Sequence, residues 1–274
     1  MSPEPERLLV ATDLDACLLD ETTYSWEAAR PALQALRSRG ALLVLASSKT
    51  RAEMEPLARA LEFDAPLIVE NGGALVLPAG LLAEPPADAA FVGGAHVVSL
   101  GRPRAALVAA LAEMARETGV AVQGFAGLDA AAVAALTGLS PAEAALALER
   151  DWGEPFSISG TGDVERLARA AERRGLSLTR GGRFLHLTGR NDKGRALRLL
   201  LERLHAAGRP MTTLALGDSP NDLQMLLVAD DAVVIPRPEG AHPSLLAALP
   251  RATVAPWPGP RGWNHAVLAA LARP

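Results

Sequence analysis

The chain has 274 residues, 49% of them apolar and 21% charged, which is ordinary for a globular protein and long enough for one large domain or two smaller ones. A net charge of −4, with acids and bases interspersed, gives no electrostatic ground for nucleic acid as a partner. The single cysteine, Cys17, excludes an internal disulfide, no apolar run reaches membrane-spanning length, and MSPEPERLLV lacks the order of a signal peptide; a cytoplasmic protein with no membrane partner is expected.

Short apolar runs alternate with amphipathic Ala/Leu/Arg segments, the pattern of strands joined by crossover helices. In chain order the expected elements are strand 7–12, helix 25–39 with a stop at Gly40, strand 41–46, helix 50–61, and two short strands in LIVENGGALVLP around Gly72-Gly73. Residues 78 to 94 turn to Pro, Gly and Ala and read as a linker. Beyond it come strand 96–100, helix 103–117, strand 120–125, helices 128–136 and 141–150, strand 155–159, helix 163–174, and strands 176–180 and 183–188 about a Gly181-Gly182 turn. Helix 192–207, strand 212–216, helix 220–229, strand 231–235 and helix 264–272 then resume the first style. The expected fold is α/β: a doubly wound, mainly parallel, Rossmann-like core of residues 1–82 and 190–274, with an α+β domain inserted over 83–189.

In an open parallel sheet, ligands bind beyond the carboxyl ends of the strands. Three expected strands end there in polar strings: Asp13-Leu14-Asp15, Ser47-Ser48-Lys49-Thr50, and Gly217-Asp218-Ser219-Pro220-Asn221-Asp222. Side chains two apart on extended backbone point the same way, so Asp13 and Asp15 can converge on one point, and two like charges so close call for a cation or a shared proton. Ser47 and Ser48 lie where a strand hands over to a helix, so a hydroxyl and free amides can meet a phosphate; the plainer explanation is a helix cap. Asp218 has the same plain explanation, and the 217–222 string is no calcium loop, because Pro220 takes a ligand position and the glycine and distal glutamate of such loops are missing.

Of 27 basic residues only Lys49 and Lys193 are lysines, and three of the four asparagines, Asn71, Asn191 and Asn221, sit in polar strings after apolar runs. Lys193, at the start of a helix, is either an ordinary solvated residue or a point charge balancing phosphate and carboxylate. Each bland explanation holds singly, but not for all the strings together. Four carboxylates (Asp13, Asp15, Asp218, Asp222), a hydroxyl and a lysine point to a magnesium-dependent phosphoryl-transfer site. No serine elbow, zinc-ligand spacing, Walker loop or dinucleotide fingerprint competes with it.

The four strings, DLD, the serine of ASSKT, Lys193 and GDSPND, resemble in order and placement the motifs of the haloacid dehalogenase superfamily of phosphatases. Ala16-Cys17 departs from the usual Gly-Thr. The insertion between the second and third strings is similar to the type-2 cap of that superfamily. A narrower likeness, in SSKTRAEMEPLA, ENGGALVLP, ERDWGEPF, GRNDKGRAL and GPRGWN, is to the family of mannosyl-3-phosphoglycerate phosphatases.

The resemblance implies that Asp13 is the nucleophile, Asp15 the acid/base, and Ser47, Lys193 and Asn221 the phosphate-binding residues. It places Mg2+ on Asp13, Asp15 through its backbone carbonyl, Asp218 and Asp222. A small phosphorylated sugar or glycoside would be the partner, held by Ser48, Lys49, Gln123, Arg150, Glu154, Arg180, His186 and Asn191, with an arginine on the glycerate carboxylate. Another sugar-phosphate phosphatase, acting on a glucosyl or sucrose-like ester, a hexose phosphomutase and a non-catalytic phosphosugar-binding module are the alternatives.

Overall fold

The structure is a computed structural model that describes residues 7–159, 163–181 and 184–273. Strand β1 (Leu8–Asp13) is buried almost throughout, which suits the middle of a parallel sheet covered on both faces. The chain continues through α1 (Arg30–Ser38), β2 (Leu42–Ala46), α2 (Arg51–Ala60), β3 (Leu67–Val69), β4 (Ala74–Pro78), β5 (Ala90–Val92) and β6 (Ala95–Ser99). It then forms α3 (Arg104–Thr118), β7 (Val122–Gly124), α4 (Ala130–Thr137), α5 (Pro141–Leu148), β8 (Gly153–Ile158), α6 (Val164–Arg173), β9 (Ser177–Gly181) and β10 (Phe184–Thr188). The last part is α7 (Lys193–Ala206), β11 (Thr212–Gly217), α8 (Leu223–Val228), β12 (Asp231–Val234), α9 (Pro243–Ala248), β13 (Thr253–Val254) and α10 (Gly259–Leu271).

The larger sheet has the order β13-β12-β11-β1-β2-β3-β4-β6-β5. It is parallel from β13 to β3 and antiparallel from β4 to the β5 edge. Leu33 and Leu36 of α1, Met54 of α2, and Trp263 and Val267 of α10 pack on one face. Leu197, Leu200 and Leu204 of α7, Met225 of α8 and Leu245 of α9 pack on the other. The chain leaves β1 toward β2 and returns on its other side at β11, so the topological switch point falls at β1, where α/β sheets place their ligands. A separate four-stranded antiparallel sheet, β7-β8-β10-β9, carries α3 and α6 over its own core, and α4 and α5 close on Phe125 and Phe184. The fold is therefore α/β, with a doubly wound core and an inserted α+β domain. No single helix among the described residues is long and apolar enough to cross a membrane.

The inserted unit starts later than residue 83. Strand β6, expected beyond the linker, pairs with β4 in the larger sheet, Leu75 opposite Val98, and brings β5 with it. β4 would otherwise leave its outer edge unpaired, and β6 covers that edge with the buried Val97 and Val98. The Pro/Gly-rich stretch before it is tied to the core by Arg203 on Asp88 (2.7 and 2.8 Å), Arg209 on the Leu81 carbonyl (2.7 Å) and Arg51 on the Val92 carbonyl (2.9 Å). Helix α9 and strand β13 were not among the expected elements, and α10 begins at Gly259, with proline in its first turn, where it is tolerated. The expected Gly181-Gly182 turn falls partly on Gly182, outside the described residues.

Candidate active site

Asp13 ends β1 with its side chain almost fully buried. Lys193, the first residue of α7 and itself fully buried, donates from Nζ to Asp13 Oδ1 (2.5 Å) and Asp222 Oδ1 (2.7 Å). Close packing makes this meeting possible, because a Cβ on Gly194 would stand 2.2 Å from the Gln224 carbonyl oxygen and one on Gly217 2.5 Å from the Asp222 Cβ. Asp222 Oδ2 accepts the amides of Asp218 and Ser219, both at 3.1 Å, so both oxygens of Asp222 are committed to protein donors. Asp218 Oδ2 takes Arg237 Nε at 2.7 Å.

The serines of the second string are not helix caps. Thr50 caps α2, receiving the Glu53 amide at 3.1 Å while Glu53 Oε2 receives the Thr50 amide at 2.8 Å. Ser47 Oγ, in the loop after β2, accepts the Lys49 amide at 3.2 Å. Lys49 Nζ stands 3.1 Å from Asp15 Oδ1 and 5.1 Å from the centre of the Tyr24 ring, while the Asp15 side chain remains 43% exposed. Asp218 is no cap either, since Ser219 fills that position.

Burial dominates the electrostatics. It pushes the Asp13 carboxyl well up, Asp222 adds to the rise, and Lys193 opposes it. Burial and then Asp222 push Asp218 up to about 6, against Arg237. Burial disfavours the charge on Lys193, yet Asp13 and Asp222 outweigh it and hold the ammonium well above its ordinary value. Burial likewise opposes charge on Lys49, and Asp15 and Glu53 outweigh it. One oxygen each from Asp13, Asp218 and Asp222 lies within 4.8 Å of the others. Asp13 and Asp218, each with one oxygen engaged by Lys193 or Arg237, fit a hard divalent cation bound through oxygen, as magnesium is, whereas Asp222, also expected on the metal, has both oxygens engaged and stands behind them.

A cavity of about 410 Å³ opens between the two units, within the usual range for small ligands. Asp13, Asp15, Asp218 and Asn221 face it from the larger sheet, and Arg150 and His186 from the inserted unit. Ser48 and Lys49 also line it. Arg150 Nη1 donates to the Ser48 carbonyl at 3.1 Å and Nη2 stands 3.8 Å from Glu53, but the buried Nε has no partner. His186 is buried beside Arg150, and burial followed by that charge lowers it to about 3, so the ring is neutral.

Four expected substrate residues lie elsewhere. Gln123 is exposed on β7 and Arg180 on β9, and neither lines the cavity. Glu154 is buried within the inserted unit, taking Arg104 Nε at 2.7 Å and the Ala126 amide at 2.8 Å, so its oxygens are spent on the fold. Asn191 is buried at the return crossover, where Nδ2 donates to the Asn71 carbonyl at 3.2 Å. Residues not anticipated from sequence are Arg237, Tyr24 and Glu21, which line the cavity, and Glu70, buried behind it. Arg237 lies just past the end of β12 and could have been found by extending the strand-end rule to that strand.

The arrangement presents one buried carboxylate, held by Lys193, at a strand end and a second, more exposed carboxylate two residues on. That pairing suits attack by one and proton transfer by the other. Residues 10–80 match the haloacid dehalogenase-like hydrolase family. Along 95% of its length the chain is 38% identical to the glucosyl-3-phosphoglycerate/mannosyl-3-phosphoglycerate phosphatase of Methanococcoides burtonii, covering 96% of that protein. It is 32% identical, over 83% of its length and 90% of the relative, to the mannosyl-3-phosphoglycerate phosphatase of Pyrococcus horikoshii. In fold it is similar to a haloacid dehalogenase-like hydrolase from Bacteroides thetaiotaomicron, with a TM-score of 0.64, 21% identity and coverage of 97% of this chain and all (100%) of that one.

Proposed function

The chain belongs to the haloacid dehalogenase-like hydrolases and is a phosphoric monoester hydrolase, and from that premise we propose that it converts mannosyl-3-phosphoglycerate or its glucosyl counterpart to the free glycoside and phosphate. The observation that carries the substrate reading is the cavity itself, with Asp13 at one wall and at another Arg150, whose buried Nε has no partner. A buried guanidinium with a free donor suits a carboxylate, and the glycerate supplies one. The activities for which the relatives from M. burtonii and P. horikoshii are named support the same reading.

In this reading Asp13 attacks phosphorus and the bond to the glycerate oxygen breaks as Asp15 gives up its proton to that oxygen. Water then attacks the aspartyl-phosphate with Asp15 taking the proton, which releases phosphate and restores Asp13. A magnesium ion held by Asp13, Asp218 and the Asp15 carbonyl would supply positive charge against the phosphate oxygens. Lys193 orients the Asp13 carboxylate from behind, and Asp222 serves by anchoring Lys193 and bracing the 218–219 amides. Ser47 and Asn221 bind phosphate oxygens. Lys49 keeps Asp15 at the cavity edge, and the neutral His186 meets a sugar hydroxyl. The inserted unit acts as the cap that excludes bulk water.

The test is phosphate release with magnesium from mannosyl- and glucosyl-3-phosphoglycerate, 3-phosphoglycerate, sucrose phosphate and hexose phosphates. The reading expects the two glycosyl esters to be the preferred substrates. Preference for a hexose phosphate, or an isomerised sugar phosphate among the products, would contradict it.

A further inference from the structure

We propose that Glu70 is a positioning residue that aims Arg150 into the cavity, and that the turn Glu70-Asn71 thereby ties the organic end of the substrate site to its phosphate end. This deepens, and rests on, the reading of Arg150 as the carboxylate-binding residue.

Glu70 follows β3 and is buried, 2% exposed, away from the cavity surface. Its Oε1 accepts the Asp151 amide at 2.9 Å and its Oε2 the Trp152 amide at 3.0 Å. Those two amides immediately follow Arg150 in the chain. A carboxylate that accepts two successive backbone N–H groups fixes the direction of that backbone, and so the point from which the Arg150 side chain departs. Arg150 then reaches across to the Ser48 carbonyl and leaves Nε free.

The other side of the turn holds the phosphate end. The Glu70 amide donates to the Lys49 carbonyl at 3.0 Å and the Asn71 amide to the Ser47 carbonyl at 2.9 Å. Asn71 Oδ1 accepts Asn221 Nδ2 at 3.3 Å. Both turn residues are left-handed, φ +47° at Glu70 and +55° at Asn71, a conformation that non-glycine residues adopt at a cost. Burying a carboxylate is a second cost, and burial pushes the Glu70 carboxyl up despite Arg150 nearby. A joint that only filled space would need neither. The contact has no slack, because a Cβ on Gly73 would stand 2.4 Å from the Trp152 Cβ and one on Gly72 2.1 Å from the Asp192 oxygen.

Glu70→Gln keeps the volume but opposes an NH2 to one of the two amides. With this variant, KM for the glycosyl-3-phosphoglycerates should rise by about 10- to 100-fold, with kcat within about threefold. Turnover of p-nitrophenyl phosphate, which has no carboxylate, should stay within about threefold. In the Arg150→Met background the same change should add little. Equal losses on both substrate types, no loss on either, or full additivity with Arg150→Met would overturn the inference. Hydrogen exchange at the Asp151 and Trp152 amides, which needs no substrate, should quicken in Glu70→Gln, and unchanged protection would also overturn it. A wild type that hydrolyses p-nitrophenyl phosphate but neither glycerate ester would contradict the substrate reading instead, leaving the exchange measurement to judge Glu70.

Discussion

Lys193 sits between Asp13 and Asp222 with no exposure to solvent, so its charge is justified only by the carboxylates it touches. Removing it strands those carboxylates, and breaking a buried pair from one side is expensive. Lys193→Met should therefore cost about 3–5 kcal/mol in urea unfolding with chelator present. His186 is the reverse case, a histidine buried neutral with its value lowered to about 3. Between the ordinary value near 6.5 and 3 the unfolded chain binds a proton the folded one refuses, so His186 makes the protein lose stability as pH falls through that window. His186→Gln should flatten stability against pH between 6.5 and 4 by up to about 1.4 kcal/mol per pH unit, read from urea midpoints. Ala16 shows how a sequence departure is absorbed. Where glycine is usual in the resembled motif the backbone is left-handed, φ +57°, and alanine accepts it while leaving both carboxylates in place.

At the scale of elements, the junction of α7 with α8 delivers Lys193 to β1. Gly194 permits it by letting α7 approach the Gln224 carbonyl. Gly194→Ala improves helix propensity yet should lower stability by about 1–3 kcal/mol and cut phosphatase turnover, since the helix must move off its neighbour. Stability and kcat measured on the same preparation check this. The parallel strands and the loops after β1, β2 and β11 were legible because each strand is a continuous apolar run closed by an abrupt polar string. Strand β6 was misplaced because alternation marks a strand but not its partner, and its partner β4 lies across a Pro/Gly-rich stretch that resembles a linker. Glu154 lies away from the cavity for a related reason. Its string pointed to the inserted unit correctly, but the Arg104 that occupies it is 50 residues away in sequence.

For the whole molecule, the acidic cluster predicts a folded state whose stability responds to divalent cations. Asp218, raised to about 6, binds its proton more tightly folded than unfolded, so its own contribution to metal-free stability falls as pH climbs from about 4 to about 6 and opposes that of His186; an Asp218→Asn variant should steepen the rise of stability with pH over that window. A divalent cation competes with that proton, and the rise in Tm on adding magnesium should be larger at pH 7.5 than at pH 5. In the proposed reading the core carries the reaction, while the inserted unit brings Arg150 and His186 to the cavity, so the reaction class was readable from local strings and the far wall of the cavity was not. Those contacts depend on how two separately built sheets face each other. The most direct test of the account is rapid chemical quench of the wild type, with magnesium and substrate labelled at the phosphoryl group, followed by peptide mapping. The expected result is a hydroxylamine-labile phosphoryl group on Asp13, its absence in a folded Asp13→Asn variant, and turnover in that variant reduced by at least about 10³-fold. Wild-type phosphate release by Asp13→Asn, or a phosphoryl group mapped to any other residue, would contradict it.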